Sequence, residues 1–230
     1  MQLAFLGTGS AYSLERYNGA VVVDRRLLLD GGAPLLPHMH RLGIDPAAID
    51  AVFLTHVHGD HVLGLPPFVL YRAVRPSGFP LVIVSPPGAQ EALETLFTLA
   101  WGDGWPAYRE AACLTYQEAE PSGRAAGVAY EAVRLDHGET DCRGYRLQLD
   151  GRLLAYAGDT SAGPALDELV RGADVAITEA TAPGDGSGVH TTWEEAAQLV
   201  ARHPDTRFLL NHLYSGQTEH SVQDLDVVEV

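Results

Sequence analysis

The chain has 230 residues, enough for one large domain or two small ones. At 46% hydrophobic and 20% charged residues, its composition excludes disordered, collagen-like and low-complexity classes. Thirty Asp and Glu against fifteen Lys and Arg give a formal net charge of −15, which argues against gripping a long polynucleotide or docking on an anionic membrane.

In chain order, residues 2–6 form a short apolar strand closed by the turn Gly7-Thr8-Gly9-Ser10. Residues 20–24 and 26–30 read as two further strands, ended by Gly31-Gly32. A helix is expected over 35–42, and Pro46 suits a first helical position. Residues 51–55 are a continuous apolar run of strand length, as in a buried strand, and a helix begins near His61. The segments 66–80 and 100–127 are expected to hold loops that shape a pocket. A buried strand over 81–85 precedes the turn Pro86-Pro87-Gly88 and an amphipathic helix over 89–100. Residues 101–105, WGDGW, read as a loop: either an aromatic lip over a binding site or, the favoured reading, two tryptophans packed beneath the loop.

Two strands are expected within 111–135, around Pro121–Gly123. A hairpin follows over 144–157, with Asp150-Gly151 supplying the tight turn. Then come a helix over 162–171, a buried strand over 175–178, and a helix over 192–203. That last helix has Thr191 or Thr192 as N-cap and Glu194 or Glu195 in its first turn. Residues 207–211 form the last apolar strand before a polar tail. The order implies an α/β fold with mixed sheets, and no linker divides residues 1–230, so one domain is expected.

Two cysteines, Cys113 and Cys142, are too few for a disulfide scaffold or a Cys-based zinc cluster. The opening MQLAFLGTGS lacks the cationic and apolar regions of a signal peptide, and no apolar run is long enough to span a membrane. A cytoplasmic location is the expectation.

Histidine placement carries the chemistry. Residues 55–61 read THVHGDH and bring together His56, His58, Asp60 and His61. Side chains two apart do not share a helix face, so the cluster belongs where an extended segment turns into a helix. His56 and His58 can then face one ion, while the turn at Gly59 lets Asp60 and His61 reach another. Nitrogen and oxygen donors fit Zn²⁺, Fe or Mn²⁺ without naming the metal. His137, Asp159 and His212 each follow an apolar strand, where open α/β sheets bind ligands.

THVHGDH is similar to the HxHxDH signature of the metallo-β-lactamase fold hydrolases. The runs LGTGS, LLLDGG, THVHGDHVLGLP, SPPG, LDHGE, AGDT, EAT, HTT and NHL appear in the family's order. EAT followed by HTT makes the chain resemble the ribonuclease Z-like branch. The resemblance implies a four-layer αβ/βα sandwich with two mixed β-sheets. It also implies two divalent ions, zinc first, with manganese or iron as alternatives. His56, His58 and His137 would hold the first ion, Asp60, His61 and His212 the second, and Asp159 would bridge them. Glu179 and His190 match a pair near the scissile phosphate. The resemblance further implies water activated between two ions, Asp60 as proton acceptor and His190 as acid on the leaving group. Asp30, Glu179 and Thr55 are expected to orient the ligating imidazoles.

Two features depart from ribonuclease Z proper. Only 22 residues separate His137 from Asp159, leaving no room there for a tRNA-gripping arm, and LYSGQ follows His212. The favoured expectation is therefore a phosphodiesterase acting on a small phosphodiester. The alternatives are a tRNA 3′-end endonuclease, a lactone or thioester hydrolase, and a metal-binding scaffold without activity. A homodimer is implied by resemblance only.

Overall fold

The computed structural model describes residues 1–32, 34–75, 79–182 and 188–230. Strands β1 (Gln2–Gly7), β2 (Ala20–Val23) and β3 (Leu27–Leu29) run as an antiparallel meander. On β3 the chain adds β4 (Ala51–Phe53), β5 (Leu81–Ser85) and β6 (Leu114–Glu118), all parallel. A second sheet begins with β7 (Ser122–Ala125), β8 (Val128–His137), β9 (Thr140–Leu149) and β10 (Arg152–Tyr156), again antiparallel. It ends with β11 (Val175–Glu179) and β12 (Arg207–Asn211), parallel to β10. Finally β13 (Val227–Glu229) returns to pair antiparallel with β1. Both sheets are thus mixed, as the strand order predicted.

Strand periodicity sorts the side chains into layers. In β1, Leu3 and Phe5 face the second sheet, while Ala4 and Leu6 face outward to helices. In β10, Leu154 and Tyr156 face the first sheet, and Ala155 faces the opposite helices. The first sheet's outer face packs on α1 (Leu35–Arg41), α3 (Leu65–Val74), α4 (Ala89–Trp101) and α5 (Trp105–Ala111), with the one-turn α2 (Gly59–Val62) beside them. The second sheet's outer face packs on α6 (Pro164–Val170) and α7 (Trp193–Arg202). Helices, sheet, sheet, helices make four layers. Strands covered on both faces explain why their sequences are continuous apolar runs rather than alternating ones.

Several elements differ from the expectations. Residues 66–80 are mostly helix, because Pro66 and Pro67 sit in the first turn of α3, where a missing N–H costs nothing; residues 76–78 lie outside the described residues. The 101–105 segment is a short 3-10 turn between α4 and α5. Trp105 is buried against Phe97, with ring centroids 4.4 Å apart, and donates to Glu94 at 2.5 Å. Trp101 donates to the Pro66 carbonyl at 3.1 Å. Both tryptophans serve the helical layer and form no lip. Three strands, β6, β7 and β8, occupy the region expected to hold two, and the polar tail carries β13. At the Asp150-Gly151 turn both residues have positive φ, as the tight hairpin requires. Thr192 caps α7 in a reciprocal box with Glu195. No described helix is long and apolar enough to cross a membrane.

Candidate active site

The site lies where strands end. Asp30 follows β3, the 56–61 cluster follows β4, and His137 ends β8. Asp159 follows β10, Glu179 ends β11, and His212 follows β12. All are carboxyl ends of strands, drawn from both sheets, so one edge of the sandwich collects them. The THVHGDH run is extended up to His58, the N-cap residue, and helical from Gly59, the geometry its spacing demanded. Asp30 and His212 sit at φ 55° and 54°, a left-handed conformation that non-glycine residues hold only where surroundings enforce it. At Gly158, with φ +67°, a Cβ would fall 2.6 Å from the Thr55 methyl, so the chain passes close enough to bring Asp159 under His56 only because no side chain intervenes.

Asp159 stands at the centre. Its Oδ2 lies 3.9 Å from His56 Nε2 and 3.8 Å from His137 Nε2, and His137 Nε2 is 3.3 Å from His58 Nδ1. Its Oδ1 lies 3.2 Å from His61 Nε2 and 3.1 Å from His212 Nε2. Asp60 Oδ2 completes that side, 3.4 Å from His61 Nε2 and 3.2 Å from His212 Nε2. Three donor groups share the one carboxylate of Asp159: His56, His58, His137 and Asp159; Asp60, His61, Asp159 and His212; and Asp159, Glu179, His190 and His212. The first two bring together the residues the sequence reading grouped as metal ligands.

The donor set fits divalent ions on the structure's own terms. Buried His56 Nε2, His61 Nε2 and Asp159 Oδ1 have no hydrogen-bond partner, which buried polar atoms rarely tolerate. Around Asp60, His61 and His212 the spacings of 3.1–3.4 Å lie close to the edge, roughly 3.3–3.4 Å, of a tetrahedron with metal–nitrogen bonds of about 2.0–2.1 Å, whereas Asp159 stands 3.8–3.9 Å from His56 and His137.

The other ring nitrogens are already engaged. His61 Nδ1 donates to Asp30 at 2.8 Å, and His56 Nδ1 pairs with Thr55 Oγ1 at 3.0 Å. Thr55 Oγ1 in turn donates to Asp30, which also accepts from Tyr156 at 2.7 Å. The same relay recurs across the site: Thr181 donates to Glu179 and lies 3.1 Å from His212 Nδ1. His137 Nδ1 donates to the Val189 carbonyl at 3.0 Å, and His58 Nε2 lies 3.3 Å from Thr140 Oγ1. Such contacts fix tautomer and ring orientation before any ion binds. Thr140 had not been singled out in the sequence, and Thr181 entered only as the last residue of the EAT run, with no role given to it.

Electrostatics follow from this crowding. Burial, reinforced by His61, drives His56 down to about 2, so it is the neutral imidazole a metal requires. Burial also lowers His58, helped by His137. For His212, burial acts downward, but Asp159 and the hydrogen bond to Asp60 outweigh it and raise the group to about 10. Burial pushes Asp60 up, yet hydrogen bonds from His212 and His61 hold its carboxyl below the usual range.

His190 precedes α7 and is half-buried, its Nδ1 3.0 Å from Glu179 Oε2. Burial would lower its pKa; the hydrogen bond to Glu179 reverses that and raises it. Glu179 is fully buried and also accepts from the Thr160 amide at 2.5 Å. A cleft of about 300 Å³ opens over the site, lined by Ser10, Tyr12, Asp60, Asp159, His190 and His212 among others. None of the described residues lining it is Arg or Lys.

With this geometry in place, the comparisons with known proteins agree. Residues 25–213 match the Beta-lactamase superfamily domain family. Ribonuclease Z from Mycobacterium bovis is 31% identical over 77% of this chain and 69% of its own length. Ribonuclease Z from Limosilactobacillus fermentum is 27% identical over 307 residues, covering 100% of this chain and 98% of its own. Human tRNase Z, short form, superposes with a TM-score of 0.78 at 24% identity, covering 100% of this chain and 99% of that one. A diphosphatase from the PhnP family superposes with a TM-score of 0.77 at 19% identity, covering 100% and 97%. The chain belongs to the metallo-β-lactamase superfamily, in its ribonuclease Z-like branch of metal-dependent hydrolases.

Proposed function

We propose that this chain works as a single domain whose site holds two divalent ions and hydrolyses a small phosphodiester. The observation that carries the proposal is Asp159, whose two oxygens face two separate donor sets. His56, His58 and His137 would hold one ion, Asp60, His61 and His212 the other, with Asp159 between them. Zinc is the ion the family resemblance puts first, and the donors suit manganese or iron as well. When bound, such a pair supplies a nucleophilic water at neutral pH and neutralises charge on the phosphoryl oxygens.

The chain's own residues do the rest. Asp60, held as a carboxylate by its two imidazole neighbours, accepts the proton released by the attacking water. His190, whose protonated form Glu179 favours, donates a proton to the departing alkoxide. The products are a phosphomonoester and an alcohol. Glu179 lies fully buried beneath His190 and touches no open space, so its part is to position and charge His190 rather than to meet the substrate.

The relatives named ribonuclease Z favour a tRNA reading. Two observations weigh against it. The Limosilactobacillus alignment runs over 307 residues against 230 here, so that relative carries segments with no counterpart in this chain. The cleft offers no described Arg or Lys to a polyanion, and the net charge is −15. Turnover by metal-loaded protein on bis(p-nitrophenyl) phosphate, beside a precursor tRNA, tests the choice. Ester hydrolysis with intact tRNA is expected; clean 3′ cleavage of the precursor would overturn the small-substrate reading.

A further inference from the structure

The tryptophans of 101–105 belong to the helical layer, but another aromatic pair stands at the cleft. Tyr12 lines the cleft with Ser10 and His190 and is 68% exposed. Its ring centroid lies 5.1 Å from that of Tyr214, which is 39% exposed. The backbone fixes Tyr214 and, two residues before Tyr12, Ser10. Ser10 N–H donates to the Leu213 carbonyl at 3.1 Å, Leu213 N–H to Thr8 at 3.0 Å, and Tyr214 N–H to Thr181 at 2.8 Å. Arg16 ties the same loop down, donating to Thr8 Oγ1 and to the Val222 and Gly216 carbonyls. Tyr214 is two residues from His212, so the pair is anchored directly to the donor cluster.

Two tyrosine faces left in water beside the donor cluster offer aromatic surface on which a planar ring can stack. An independent observation points to a ligand at the same place. Ser10 is 1% exposed, lines the cleft, and its hydroxyl has no partner in the protein. A buried hydroxyl of this kind calls for a polar partner from outside the protein, a water or an atom of a ligand.

We propose that Tyr12 and Tyr214 form a subsite for the planar base of a small nucleotide diester, with Ser10 hydrogen-bonding the same ligand. The proposal rests on the phosphodiesterase reading for the position of the phosphate. It narrows the substrate class from any phosphodiester to one bearing a heterocyclic ring.

Calorimetric titration of zinc-loaded protein with adenosine 5′-monophosphate and with ribose 5-phosphate tests this, because the two differ only by the base. Adenosine monophosphate is expected to bind about tenfold more tightly, the scale of one base stacked on an aromatic ring. Tyr12→Ala and Tyr214→Ala should each erode that preference while leaving ribose 5-phosphate within about twofold, and Tyr12→Phe should keep it. Equal binding of the two ligands, no binding of either, or a preference that survives the double alanine variant would overturn the subsite. A base preference retained in a protein that turns over no diester supports the subsite and sinks the phosphodiesterase reading alone. Diester turnover without base preference does the reverse.

Discussion

Each imidazole of the cluster has one nitrogen engaged before any ion arrives. Asp30, Thr55, Thr181, Val189 and Thr140 take those nitrogens; the others face Asp159 or Asp60, except that of His58, which faces His137. His190 differs, because Glu179 takes its Nδ1 and its ring lies against the cleft without belonging to either of the first two donor groups. The two kinds of histidine should therefore fail differently. In His58→Ala, metal content and turnover should fall together. In His190→Ala, both ions should remain and kcat should drop about 100-fold or more, the scale of a lost general acid. Metal analysis beside kinetics reads both, and a His190→Ala variant with full kcat would remove His190 from the mechanism. The THVHGDH spacing made most of this cluster legible, since four donor residues in a short run can hardly serve a core. Ser10, Tyr12 and Tyr214 were not legible. Each is an ordinary loop residue in sequence, and only the stitching of the 8–10 and 213–214 backbones brings them together.

At the scale of elements, strands were readable and short helices were not. A strand buried on both faces announces itself as an apolar run, as in 81–85 and 175–179. Helix α3 was hidden by Pro66 and Pro67, and α5 by the glycines of WGDGW just before it. Strand β13, three residues long, has too little pattern to show in a polar tail. Helices α6 and α7 are joined by a pair no periodicity reveals: Arg202 donates twice to Asp167 at 2.9 Å, and His203 lies 3.0 Å away. The hydrogen bonds from Arg202 hold the Asp167 carboxyl below its ordinary value of 3.8. A lowered carboxyl stabilises the fold fully above that value and loses its contribution as pH falls through the lowered one. Asp167→Asn should thus cost up to about 1 kcal/mol near pH 7, the range for a solvent-facing pair, and the two proteins should converge in strong acid. Denaturant unfolding at pH 7 and pH 3 measures this; a gap that stays constant would contradict the assigned cause.

Over the whole molecule, two mixed sheets deliver six strand ends carrying site residues to one edge, and the segment before α7 adds His190. The order of elements implied an α/β fold with mixed sheets; the four layers were legible through the resemblance to a known family rather than from periodicity. The proposal of a small substrate rests on what surrounds the site: a cleft of about 300 Å³, no described cationic side chain in its lining, and a chain shorter than its ribonuclease Z relative. The central claim is that two ions act together through Asp159. Stepwise addition of Zn²⁺ or Mn²⁺ to metal-free protein, with bound metal and hydrolysis of bis(p-nitrophenyl) phosphate followed together, tests it most directly. Turnover should climb to a plateau at two ions per chain; a plateau at one ion, or no turnover at any loading, would contradict the account.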